Sequence, residues 1–233
     1  MNNIVYYLVW VSCLFYSLPN AFAQEDLLEL TKKVTQSIDR NGSTNFHIKY
    51  VQTSTTRNKY DTPQSVVVEL KQKGAVESVV SAHMDFFADA KSAYAVYKGG
   101  KKILVMKDVE KAKNQMQGVS IQKVLNKLWN TASIREVTAS SGKNRKLAVV
   151  PSEDMQNVTK AERLEIEFDA QTLQPKRIVL KMIEQSSIKQ IEFKYLILNK
   201  NADVQLFENA TAEIFDSKMK LLKKYEGFSV EEI

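Results

Sequence analysis

The sequence predicts a mainly β, α+β protein: a curved antiparallel sheet forming an unclosed β-barrel, with an N-terminal helix and a mid-chain helical lid. Three observations predict it. Apolar and polar residues alternate in several runs, as in Phe46, Ile48 and Tyr50 against His47 and Lys49, the period of a strand with one buried face. Two strand-like runs, Ala93 to Tyr97 and Ile103 to Met106, flank Gly99-Gly100, which reads as a hairpin because glycine tolerates the positive φ of a two-residue turn. Helical spacing is confined to 26–40 and 108–130, so the helices pack against a sheet rather than alternate with parallel strands.

The chain opens on an apolar run from Ile4 to Leu18, broken by Pro19-Asn20 and followed by Ala21-Phe22-Ala23-Gln24. Small residues three and one before a cut suit signal peptidase, so residues 1–23 read as a cleavable signal peptide and 24–233 as one exported domain with a C-terminal extension. The run is shorter than the roughly 20 residues a bilayer span needs. Met1-Asn2-Asn3 carries no Lys or Arg, and an uncleaved anchor is the alternative. Cys13 follows Trp10-Val11-Ser12 and reads as part of the apolar run rather than as an acylation site. Past residue 23 no cysteine remains, which excludes a disulfide framework and a thiol nucleophile.

Asp26 to Arg40 places Leu27, Leu28, Leu30, Val34 and Ile38 close to one helical face, ending at Asn41-Gly42. Gln52 to Pro63 is polar and reads as a strand end or a loop. Ser65 to Leu70 and Ser78 to Val80 are β-branched runs around Lys73-Gly74 and suggest another strand pair. Asp108 can cap a helix over Val109 to Gln117. Ser120 can cap a second, whose Ile121, Val124, Leu125 and Leu128 form one stripe with Trp129 beside it. Strands are then expected at Ser133 to Ala139, Lys146 to Val150, Arg163 to Phe168, Lys176 to Ile183 and Ile188 to Leu198. In the last, Ile191, Phe193, Tyr195 and Ile197 share a face. The stretch from Lys218 onward follows no clear pattern.

Chemistry for catalysis is sparse. His47 and His83 are the two histidines, and no His-x-x-x-His or cysteine-bearing spacing builds a zinc site, so neither metal nor cofactor is expected. The phosphate-binding glycine motifs and the G-x-S-x-G elbow are absent. Glu165, Glu167 and Asp169 at alternate strand positions read as a solvated face. The net charge of +6 is spread along the chain, and with no recognised nucleic-acid module the balance reads as a binder, not an enzyme or a nucleic-acid partner.

The order of elements, together with Asp89-Ala90-Lys91-Ser92-Ala93-Tyr94-Ala95-Val96-Tyr97 and the stretch Leu164 to Asn199, resembles the LolA/LolB-like lipoprotein-carrier family of Gram-negative envelopes. The first stretch is similar to the family's D-G-K-x-x-x-x-Y strand, with Ala90 in place of the glycine. The resemblance implies a monomeric periplasmic half-barrel whose apolar cavity takes lipoprotein acyl chains or other apolar cargo. It places Phe46, Ile48, Tyr50, Tyr94, Val96, Ile191, Phe193 and Tyr195 on the cavity wall, and Ile121, Val124, Leu125, Leu128 and Trp129 on the lid. Two alternatives stand beside it: a protein-binding or sensor module of the envelope with a similar half-barrel, and a hydrolase with an unrecognised carboxylate site. The apolar face is either an open cavity or a core filled by the protein's own side chains.

Overall fold

The computed structural model describes residues 26–38, 45–117, 133–137 and 143–233. After helix α1 (26–36) come strands β1 (Asn45–Thr56), β2 (Gln64–Lys73), β3 (Val76–Ser81), β4 (Met84–Ala88), β5 (Ala93–Tyr97) and β6 (Lys102–Met106). Helix α2 (Val109–Gln117) precedes β7 (Ser133–Val137), β8 (Asn144–Val150) and a short helix α3 (Glu153–Thr159). Strands β9 (Ala161–Asp169), β10 (Pro175–Met182) and β11 (Ile188–Asn199) lead to 3-10 turns at Ala210–Glu213 and Lys223–Tyr225, and β12 (Ser229–Glu232) is the final strand. The second lid helix expected at Ser120 to Asn130, and the end of the strand expected to reach Ala139, lie outside the described residues.

All twelve strands form one unclosed sheet in the order β12-β6-β5-β4-β3-β2-β1-β11-β10-β9-β8-β7. Two antiparallel meanders are joined where β1 pairs with β11, and β12 alone runs parallel to its neighbour. Cross-strand partners share a face, so the register sorts the side chains. Ile48, Leu70, Val79, Phe86, Ala95 and Leu104 lie on one side of the first meander, and Phe193, Ile178, Ile166 and Leu147 continue that side across the second. Both long helices pack on this inner face. Helix α1 sets Val34, with Ile38 just past its end, against Phe46, Ile48, Leu164, Ile166 and Phe168. Thr31 and Thr35 are also buried in α1, which is possible because each hydroxyl donates to the carbonyl four residues back, Leu27 O and Thr31 O. Helix α2 starts as expected, Asp108 Oδ1 accepting from the Lys111 amide at 2.9 Å, and buries Ala112 against Phe86, Ala95 and Met106.

Three expectations are corrected here. The turn after β5 spans four residues, and its positive φ falls on Lys101 (46°) rather than on either glycine, the positive-φ glycines among the described residues being Gly74 and Gly227. In β11 the pairing jumps from Lys49↔Ile197 to Tyr50↔Tyr195, so Leu196 is an extra residue. Such a bulge inverts the alternation beyond it, and Leu198, not Ile197, joins the inner core. Glu165 was expected to face solvent, yet only 7% of it is exposed, because the stems of Lys146, Arg163 and Lys181 close over it.

Candidate functional site on the inner face

The inner face is not evenly covered. Phe46 (0% exposed) and Ile48 (7%) are sealed under α1, and Phe86 and Ala95 (each 0%) lie in the core beneath α2. Between these two covered regions runs a strip across β3, β2, β1 and β11 whose apolar side chains are only half-buried: Val79; Val66, Val68 and Leu70; Tyr50; Ile191, Phe193 and Tyr195. Tyr50 is its centre, with ring centroids 5.8 Å from Phe193 and 6.0 Å from Tyr195 in tilted contacts that favour edge-to-face packing. Burial pushes the Tyr195 phenol well up, and Tyr50 beside it adds to the shift. Gln52 and Ser54 continue the β1 side of the strip with polar groups.

Of the residues named from the sequence, the structure brings Tyr50, Ile191, Phe193 and Tyr195 together. It does not bring Tyr94 and Val96 to them. Both point to the outer face, where Tyr94 Oη lies 2.9 Å from Thr211 Oγ1 and Val96 packs in a core with Ile214 and Tyr225. The buried inner-facing residues of β5 are Ala93 and Ala95, whose small size gave no cavity signal, and Tyr97 at the strand end is exposed. Ile121, Val124, Leu125, Leu128 and Trp129 lie outside the described residues. Val66, Val68 and Leu70 were not singled out because Val67, on the outer face, makes the run Val66-Val67-Val68 continuous and conceals its alternation.

The rim at one end is fixed by Arg57, from the stretch read as strand end or loop. Its guanidinium donates to the carbonyls of Met182 (2.7 Å), Ile183 (2.7 Å) and Ser186 (3.0 Å), holding the β10–β11 turn. The two histidines lie elsewhere. His47 Nε2 is 2.8 Å from Glu69 Oε1 on the outer face, and His83 is exposed at the β3–β4 turn. Among the described residues no group of three or more His, Cys, Asp or Glu is placed to hold a metal ion, and no helix is long and apolar enough to cross a membrane. The strip can therefore bury an apolar ligand and offer it a few hydroxyl and amide groups.

No family model matches the chain, and no curated protein matches it. Among solved structures, an uncharacterized conserved protein from Thermus thermophilus is 10% identical over 87% of this chain and 99% of that one, at a TM-score of 0.43. A LolA superfamily protein from Nitrosomonas europaea is 7% identical over 78% of this chain and 94% of that one, at 0.34. MucB in the MucA/MucB complex of Pseudomonas aeruginosa is 14% identical over 84% of this chain and 63% of that one, at 0.36. The unclosed half-barrel is read from this chain's own strand order.

Proposed function

We propose that the chain is an exported carrier of the bacterial envelope whose inner face receives lipidated or other apolar cargo, such as the acyl chains of lipoproteins, without covalent chemistry. The observation that carries this reading is the half-buried strip centred on Tyr50, Phe193 and Tyr195, flanked on both sides by parts of the same face that are fully buried. An acyl chain laid along it would gain about 0.8 kcal/mol for each methylene removed from water. Removal of residues 1–23, giving a mature periplasmic protein that starts at Gln24, belongs to the same proposal, as does a lid role for the stripe Ile121, Val124, Leu125 and Leu128.

The test is native mass spectrometry of protein purified from its own envelope, beside a Phe193→Asp variant. An acyl-bearing mass bound to the parent and lost from the variant, with unfolding midpoints similar for both, is expected. Protein free of lipid in every preparation would overturn the reading. A co-purified peptide would support the second reading, a polypeptide-binding module, which the polar groups of Gln52 and Ser54 at the end of the strip favour. The same spectra report the mature N-terminus, and an intact residue 1–23 segment would contradict the export proposal.

A further inference from the structure

The chain after β11 contains two parts held by different forces. From Phe207 to Phe228 it is fastened to the outer face of β4–β6 by burial: Ala210, Ile214 and Tyr225 enter a core with Phe87, Tyr94 and Ile103. Asp89 Oδ2 accepts the Ala210 amide at 2.8 Å, fixing the first 3-10 turn to the β4–β5 turn. Strand β12 is different. All four of its residues are exposed, and none enters a core. It is held by a parallel ladder from Lys102 to Val105, extended by the Ser229 amide to Lys101 O (2.9 Å) and the Ile233 amide to Val105 O (3.0 Å). Its side chains add two exposed ion pairs, Glu231 with Lys102 at 2.7 Å and Glu232 with Lys107 at 3.2 Å, of a kind worth about 0–1 kcal/mol each.

The boundary between the two parts falls at Phe228, whose ring still packs against Tyr225 with centroids 5.5 Å apart, so only the residues from Ser229 onward lie clear of the core. Residues 229–233 can therefore leave β6 without opening the apolar core that anchors the preceding segment. What they would uncover is a strand edge with free ladder groups and the neighbouring Lys101, Lys102 and Lys107, beside a depression of about 280 Å³ that Ile233 lines together with Met106, Lys107, Asp108, Lys111 and Ala112. An exposed strand edge recruits extended chain through main-chain hydrogen bonds, and its flanking side chains choose the partner.

We propose that the β6 edge is a docking site for an extended acidic polypeptide segment, and that β12 is its resident occupant, displaced by peeling away from Ser229 onward. The sequence Ser229-Val230-Glu231-Glu232-Ile233 shows the chemistry the edge accepts: carboxylates for the neighbouring lysines, with an apolar residue reaching the depression. This edge is remote in register from the strip on β1, β2, β3 and β11, so the proposal and the carrier reading fail separately.

The probe is a fluorescent peptide of sequence Phe-Ser-Val-Glu-Glu-Ile, titrated by anisotropy into the full chain and into a full-length Ser229→Pro/Ile233→Pro variant, which lacks two ladder donors of the resident strand. Because an intramolecular competitor acts at an effective concentration on the order of 1 mM, the variant is expected to bind the peptide about tenfold more tightly or better. Adding Lys102→Glu and Lys107→Glu to the variant should abolish that gain, and a peptide with both Glu replaced by Lys should not bind. Equal binding by parent and variant, or equal binding of acidic and basic peptides, would overturn the proposal. Hydrogen exchange on the unaltered chain provides a second measurement that needs no variant. The amides of Ser229 and Ile233 are expected to exchange about tenfold or more faster than those of Val96 and Leu104, which face neighbouring strands of the first meander. Equal protection would mean that β12 opens only with the whole sheet, and would overturn the proposal as well.

Discussion

The two meanders of the sheet solve the same problem in opposite ways. Each has an inner face covered by a helix, but strands β4–β6 also bury their outer face beneath residues 207–228, whereas β8–β11 leave theirs to charged side chains. The sequences differ accordingly. Phe86-Phe87-Ala88 and Ala93-Tyr94-Ala95-Val96 are continuous apolar runs, as strands buried on both faces require, while Leu164, Ile166 and Phe168 alternate with Arg163, Glu165 and Glu167. On the outer face of the second meander, Glu165 is held by Lys146 at 2.5 Å, Lys181 at 2.8 Å and Arg163 at 3.2 Å, and Arg177 grips Glu192 through two parallel bonds of 2.7 and 2.8 Å. One meander is thus sandwiched by hydrocarbon, and the other is braced by ion pairs.

If the inner faces are equivalent, the largest truncations should cost the same on both sides. Phe86→Ala and Phe168→Ala, both at fully buried positions, are each expected to lose about 4 kcal/mol in urea unfolding. A difference of more than about 2 kcal/mol between them would break the symmetry. The outer faces should then separate. Glu165→Gln leaves three cations around a neutral amide and is expected to cost about 3 kcal/mol at neutral pH.

That cost carries a pH signature. Burial alone would raise the Glu165 carboxyl, but hydrogen bonds from Lys146 and Lys181, and their charges, bring it from an ordinary 4.5 down to about 2. Its stabilisation is therefore full above pH 4.5 and is lost as the pH falls through that window toward 2. The variant's stability should fall less steeply than the parent's over this range. On the hydrocarbon-covered side, Tyr94→Phe removes one hydroxyl contact to Thr211 and is expected to cost only about 1 kcal/mol, with no change in acid slope. Smallest of all, Lys107→Ala breaks an exposed pair and should change stability by less than about 0.5 kcal/mol. Leu125→Ala is expected to cost less than the roughly 2 to 5 kcal/mol of a filled core position while weakening an apolar probe, which would extend the carrier proposal to the lid.

The difference between the meanders also explains what could be read before the fold was seen. Where one face is solvated, alternation gives both the strand and its inward side, and β1, β9 and most of β11 were legible on that basis. Where both faces are buried, alternation vanishes. Tyr94 and Val96 identified β5 as a strand but could not say which way they point, and they were assigned to the wrong face because nothing local announces that a segment more than a hundred residues later covers the outer one. Strand β4 was seen only as an apolar cluster after His83. Leu196 carries no bulge signal of its own, so the inversion that buries Leu198 was hidden. Helix α3 had a readable start in Ser152-Glu153-Asp154, with acidic residues in its first turn, but too few turns to show a period. The candidate site is legible through Tyr50, Ile191, Phe193 and Tyr195 for the same reason as the fold: their strands each show one polar face.

The seam between β1 and β11 sets an order of events in the life of the chain. His47 pairs with Asn199 and Ser54 with Ile191, partners about 150 residues apart, whereas β1 to β6 pair each with the next through short turns. During synthesis the first meander can zip together as it emerges, while β1 waits for β11 with its seam-side edge unpaired. Until that late pairing closes, Tyr50 faces water without Phe193 and Tyr195 beside it. The strip that we propose as the binding surface is consequently the last part of the inner face to exist, and a nascent or partly unfolded chain has no version of it to offer.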